Sequence, residues 1–80
     1  MIKENFIGNI AVNTITVQYL DPDQMEEVNT ITGISPFNEV NFVDKDTFED
    51  YPRLKKYVDR ERLEVLMSDR VEYIMFRLDN

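Results

Sequence analysis

Neither a cysteine nor a histidine occurs in these 80 residues, and this double absence constrains the fold more than any motif present. Without cysteine there is no disulfide framework, and without either residue no structural zinc site of the usual kind can form. A chain of this length buries only roughly 60 to 65% of the surface that its unfolded form exposes. Its stability must come from a small packed core or from association with a partner. A hydrophobic fraction of 42%, with five phenylalanines and four tyrosines, supplies the bulk for such a core. One compact domain over residues 1–80 is expected, since no repeat, low-complexity tract or linker interrupts the chain.

The first twenty residues read as a β-hairpin. Gly8-Asn9 is a two-residue turn signal, and after it Ile15, Val17 and Tyr19 alternate with Thr14, Thr16 and Gln18. Asp21-Pro22-Asp23-Gln24 then writes a helix start: Asp21 as N-cap, Pro22 at the first helical position, and Gln24 closing a capping box. Gly33, followed by Ile34 and Pro36, writes a Schellman-type stop. A helix over about residues 22–32 follows, with Met25, Val28 and Ile31 as its apolar stripe.

Phe37 to Val43 reads as a short strand in which Val40 and Phe42 flank Asn41, with Phe37 expected in the core. An acidic turn, Asp44-Lys45-Asp46, comes next. Asp46 to Glu49 could form a capping box, but Tyr51-Pro52 disfavours a helix running through it. A helix restarting with Asp50 as cap and Pro52 in its first turn fits better, placing Tyr51, Leu54, Tyr57 and Val58 on one face.

A break is expected near Asp59. Residues 60–67 then suit two readings: a strand, from the alternation of Leu63, Val65 and Met67, or a helix, from high intrinsic propensity. Val71 to Leu78 is apolar on both faces except for Glu72 and Arg77, which predicts a central strand. The expected architecture is a small α+β domain, with a mostly antiparallel sheet of three to five strands and two or three short helices. The element order is β-β-α-β-α-β-β or β-β-α-β-α-α-β.

The missing side chains include the commonest general base and the best protein nucleophile. Gly8 and Gly33, the two glycines, lie in no phosphate-cradling frame. A catalytic carboxylate pair needs a pocket that raises one pKa, and so short a chain has little volume to build one. The chain therefore reads as non-enzymatic, with no cofactor. Asp44, Asp46, Glu49 and Asp50 invite a calcium reading, but Phe48 and Glu49 stand where an EF-hand loop needs a ligand and a glycine. Acidic capping of the following helix is the better account, and no metal is assigned. With no apolar run of signal-peptide or membrane-spanning length, a cytoplasmic setting is expected.

Charge is distributed unevenly. Residues 21–50 hold nine carboxylates (Asp21, Asp23, Glu26, Glu27, Glu39, Asp44, Asp46, Glu49 and Asp50) against the single cation Lys45, within a chain of net charge −7. Such an acidic chain is repelled by phosphate backbones and anionic membranes, so neither nucleic acid nor membrane is an expected direct partner. The only basic cluster is Lys55, Lys56, Arg60 and Arg62, and its ordinary account is helix-end and ion-pair chemistry with Asp59, Glu61 and Glu64.

The acidic segment has an ordinary account too, as a solvated face that keeps the protein soluble. Its functional reading is a protein-binding surface. Asp23, Glu26, Glu27, Glu39, Asp44, Asp46, Glu49 and Asp50 would present carboxylates to a basic partner that handles nucleic acid, with Phe48 and Tyr51 as aromatic anchors and Phe37 as a third candidate, all three equally suited to the core and Phe37 the one favoured for it. This is similar in class to the small acidic inhibitors, encoded by phages and other mobile elements, that mimic nucleic-acid charge, although no motif ties the chain to any one family. The alternative is a structural subunit that self-assembles through strand edges or charge-complementary faces, its oligomeric state open.

Overall fold

The computed structural model describes residues 15–79. Among these residues three strands, β1 (Ile15–Leu20), β2 (Val40–Asp44) and β3 (Tyr73–Leu78), form one sheet in the order β1-β3-β2. Three α-helices, α1 (Pro22–Thr32), α2 (Lys45–Asp50) and α3 (Arg60–Leu66), and a 3-10 helix over Pro52–Tyr57 lie between them in sequence. The class is α+β, but the sheet is mixed, not mostly antiparallel: β3 pairs with β1 in parallel and with β2 in antiparallel fashion. Side-chain alternation marks a strand without recording the direction of its partner. The three helical pieces between β2 and β3 let the chain return alongside β1, as a parallel pair requires. The hairpin expected across Gly8-Asn9 lies outside the described residues.

Helix α1 follows its sequence signals. Asp21 Oδ1 accepts from the Gln24 N–H at 2.8 Å, and Gln24 Oε1 accepts from the Asp21 N–H at 3.1 Å, completing the capping box. At the other end Gly33 adopts φ 80°, with its N–H on Thr30 O and that of Ile34 on Asn29 O. That pair of bonds is the Schellman arrangement.

The segment from 44 to 57 differs from expectation. Asp44 ends β2 and also caps α2, its Oδ1 accepting from the Thr47 N–H at 2.7 Å, so the helix begins at Lys45 and not after Asp50. Pro52 stops α2 as the sequence implies, but Pro52–Tyr57 winds as a 3-10 helix without a side-chain cap. Leu54, Tyr57 and Val58 are buried along it while Tyr51 stays exposed. For residues 60–67 the helical reading holds: Asp59 accepts from the Arg62 N–H at 2.9 Å and caps α3, which buries Leu66. Local propensity outweighed alternation there.

The core joins Leu20, Val43, Ile74 and Phe76 of the sheet to Met25, Val28, Phe48, Leu54 and Leu66 of the helices. Ile74 and Phe76 of β3 have no exposed surface and Leu78 packs beside them, which suits the strand's central place. A polar link runs through this packing. Asn29, on α1 and fully buried, donates from Nδ2 to Asn38 O at 2.9 Å and Pro36 O at 3.4 Å. Its Oδ1 accepts from Asn41 Nδ2 at 3.1 Å, and Asn41 also reaches Thr32 Oγ1 at 3.0 Å. The link explains why β2 turns Asn41 inward and Val40 and Phe42 outward, and why residues 33–39 form a loop where a strand was expected from Phe37.

Replacing Asn29 by Ala would remove one of the two partners of the Asn41 amide and the side-chain donor to two loop carbonyls. The expected cost is about 2–3 kcal/mol of folding stability, read from the midpoint of urea unfolding.

Candidate functional site

The loop from Gly33 to Glu39 lies beside the start of α1. A turn holds it locally: Ser35 O accepts from the Asn38 N–H at 3.2 Å, and Ser35 Oγ from the Phe37 N–H at 3.3 Å. Between this loop, the first turn and a half of α1 and the end of β3 lies a shallow groove of about 290 Å³. Pro22, Pro36, Phe37 and Leu78 give it an apolar lining, and Asp23, Glu26 and Glu39 supply carboxylates. Its volume sits at the bottom of the range for ligand pockets, which suits one inserted side chain better than a cofactor.

Phe37 is the most exposed large apolar side chain among the described residues, at 88%. It was expected in the core. The correction has a local cause, because the Asn29 bonds to Pro36 O and Asn38 O pull the backbone on either side inward and leave residue 37 at the tip. The run Gly33-Ile34-Ser35-Pro36, rich in turn formers, was the sequence signal for an exposed loop. Phe48 shows the reverse. Proposed as an anchor, it has no exposed surface and packs at the centre of the core.

The other acidic candidates fall in different places. Asp44 and Asp46 line a second depression with Lys45, Glu72 and Tyr73, at the far end of β2 from Glu39. The five residue steps between Glu39 and Asp44 correspond to about 17 Å of strand. Asp50 and Tyr51 line a third, with Glu27 and Arg53. Glu49 is exposed on α2.

Their electrostatic states differ accordingly. Glu27 is half-buried and engaged: its pKa is lowered, first by a hydrogen bond with the Tyr57 hydroxyl and then by Lys56 and Arg53, and Arg53 Nη2 stands 3.3 Å from Oε2. Burial, followed by Glu27, pushes the Tyr57 phenol up in turn. The bond from the Thr47 N–H holds the Asp44 carboxyl below its ordinary range. Among the described residues the ion pairs are Arg53 with Glu27 and Arg62 with Asp59 and Glu61. None of them involves Asp23, Glu26 or Glu39. Lys45, the one cation of the acidic segment, donates to Ser68 O at 2.8 Å.

Among the described residues no group of three or more acidic side chains is placed to hold a metal ion, and no helix is long and apolar enough to cross a membrane. No family model matches the chain, and neither the curated proteins nor the solved structures searched contain a match to it.

The two phenylalanines should separate cleanly on mutation. Phe48→Ala is expected to cost about 3–5 kcal/mol, and Phe37→Ala to stay within about 0.5 kcal/mol of the parent, both measured by chemical denaturation.

Proposed function

We propose that this chain is a non-enzymatic protein-binding module whose groove, rather than its whole acidic segment, receives a basic side chain from its partner. Three features support the reading. Asp23, Glu26 and Glu39 are exposed and without an ion pair among the described residues. They surround an aromatic ring that is itself almost fully exposed, so an entering arginine can stack on Phe37 while its guanidinium meets carboxylate oxygens. The net charge of −7 adds a long-range field that steers a positive partner to the surface.

The observation that carries the proposal is Phe37, a large aromatic side chain held out of the core and 88% exposed. The class of partner is a protein with a basic surface of the kind that handles nucleic acid. Occupation of that surface would block or modulate its usual work. Glu27 is excluded from the contact set, since Arg53 and Tyr57 already engage it.

The test uses a nona-arginine peptide as probe, titrated by fluorescence anisotropy at several salt concentrations. Glu26→Lys combined with Glu39→Lys should weaken binding about tenfold or more and flatten its salt dependence. Asp46→Lys combined with Glu49→Lys changes net charge equally and should have a clearly smaller effect. Equal effects from the two double variants would reduce the interaction to bulk charge and contradict the proposal.

A further inference from the structure

The helices cover one face of the sheet, and the opposite face has an unexpected composition. Strand register lays it out as three rows: Ile15, Tyr73 and Asp44; Val17, Met75 and Phe42; Tyr19, Arg77 and Val40. Seven of these nine side chains are apolar or aromatic. At three positions of the two outer strands of the described sheet the ordinary pattern is inverted: Thr16, Gln18 and Asn41 share the inward face with Leu20 and Val43, while Val17, Tyr19 and Phe42 point away. Tyr19, Phe42 and Tyr73 are 53%, 59% and 40% exposed. At ~200 Å² for a whole aromatic side chain they alone leave roughly 300 Å² open. Roughly that area is what the largest apolar patch of an ordinary monomer exposes, and such patches are often functional. Ile15, Val17, Val40, Met75 and Arg77 enlarge it towards the ~800 Å² that each partner gives to a standard interface.

We infer that this face is the contact between two copies of the chain, packed sheet on sheet about a two-fold axis lying along the Val17-Met75-Phe42 row. The arrangement of charge selects that occupant and that axis. The face carries one cation, Arg77, and one anion, Asp44, in opposite end rows and on adjacent strands. Rotation about the middle row sets each central residue against its own equivalent and exchanges the end rows. Arg77 of each copy then lies over Tyr73 of the other, next to the Asp44 paired with that tyrosine. Sheets pack about 10 Å apart, a gap that arginine and tyrosine span. Each arginine meets a ring face and a carboxylate together, twice by symmetry. A two-fold axis running along the strands would leave both charges unmatched.

The interface is independent of the acidic groove, and salt separates the two. Binding of a basic partner weakens as salt rises, whereas screening of a net −7 on each copy strengthens an association driven by apolar surface.

Sedimentation velocity of the full chain at micromolar to high micromolar concentration should show a monomer–dimer equilibrium that salt shifts towards dimer. Phe42→Glu and, separately, Arg77→Glu should each raise the dissociation constant about tenfold or more. Both residues are exposed, so the circular dichroism and melting of the monomer should be retained. A chain that stays monomeric under all these conditions would overturn the inference, and so would a dimer indifferent to both substitutions. A monomer in which Phe42→Glu lowers the melting temperature would also overturn it, by assigning the cover to the chain's own residues 1–14.

Discussion

Asn29 is a polar side chain without exposed surface, and the arrangement of the loop beside it follows from that burial. Its amide cannot go unbonded in the interior without a cost of about 1–3 kcal/mol. It meets the requirement by gripping Pro36 O and Asn38 O on one side and Asn41 on the other. One helix position thereby fixes a loop and the first half of an edge strand. In a chain without cysteine, and so without a disulfide, such a link supplies specificity beside a small apolar core.

The position of Phe37 is a consequence. The carbonyls of residues 36 and 38 are drawn inward, and the intervening side chain points into solvent beside Asp23, Glu26 and Glu39. Choosing Asn41 as the inward residue has a second effect, because Val40 and Phe42 are then committed to the open face of the sheet. The same buried bond thus bears on both surfaces at which we propose binding: the acidic groove at the end of the sheet and the apolar rows across it.

How much of this could be read from sequence depended on whether the signal was local. Helix α1 was legible to the residue because its cap, proline and terminal glycine act within one turn of where they stand. The central place of β3 was legible from its two apolar faces. Asn29 was overlooked because an asparagine next to Met25 and Val28 reads as a gap in the stripe until its partner at 41 is known. Phe37 and Phe48 could not be told apart for the same reason. Hydrophobicity proposes burial for both, and only the long-range bonds of Asn29 and the cap at Asp44 decide which of them receives it. The acidic segment, continuous in sequence, was divided by the length of β2 into groups with different surroundings. Strand direction left no trace in the alternation at all.

The most direct measurement is the amide chemical-shift map of the full chain during titration with the arginine peptide. The account requires the largest changes at Asp23, Glu26, Phe37, Asn38 and Glu39, with much smaller ones at Asp44, Asp46 and Glu49. Changes spread evenly over every exposed carboxylate, with Phe37 unaffected, would contradict it.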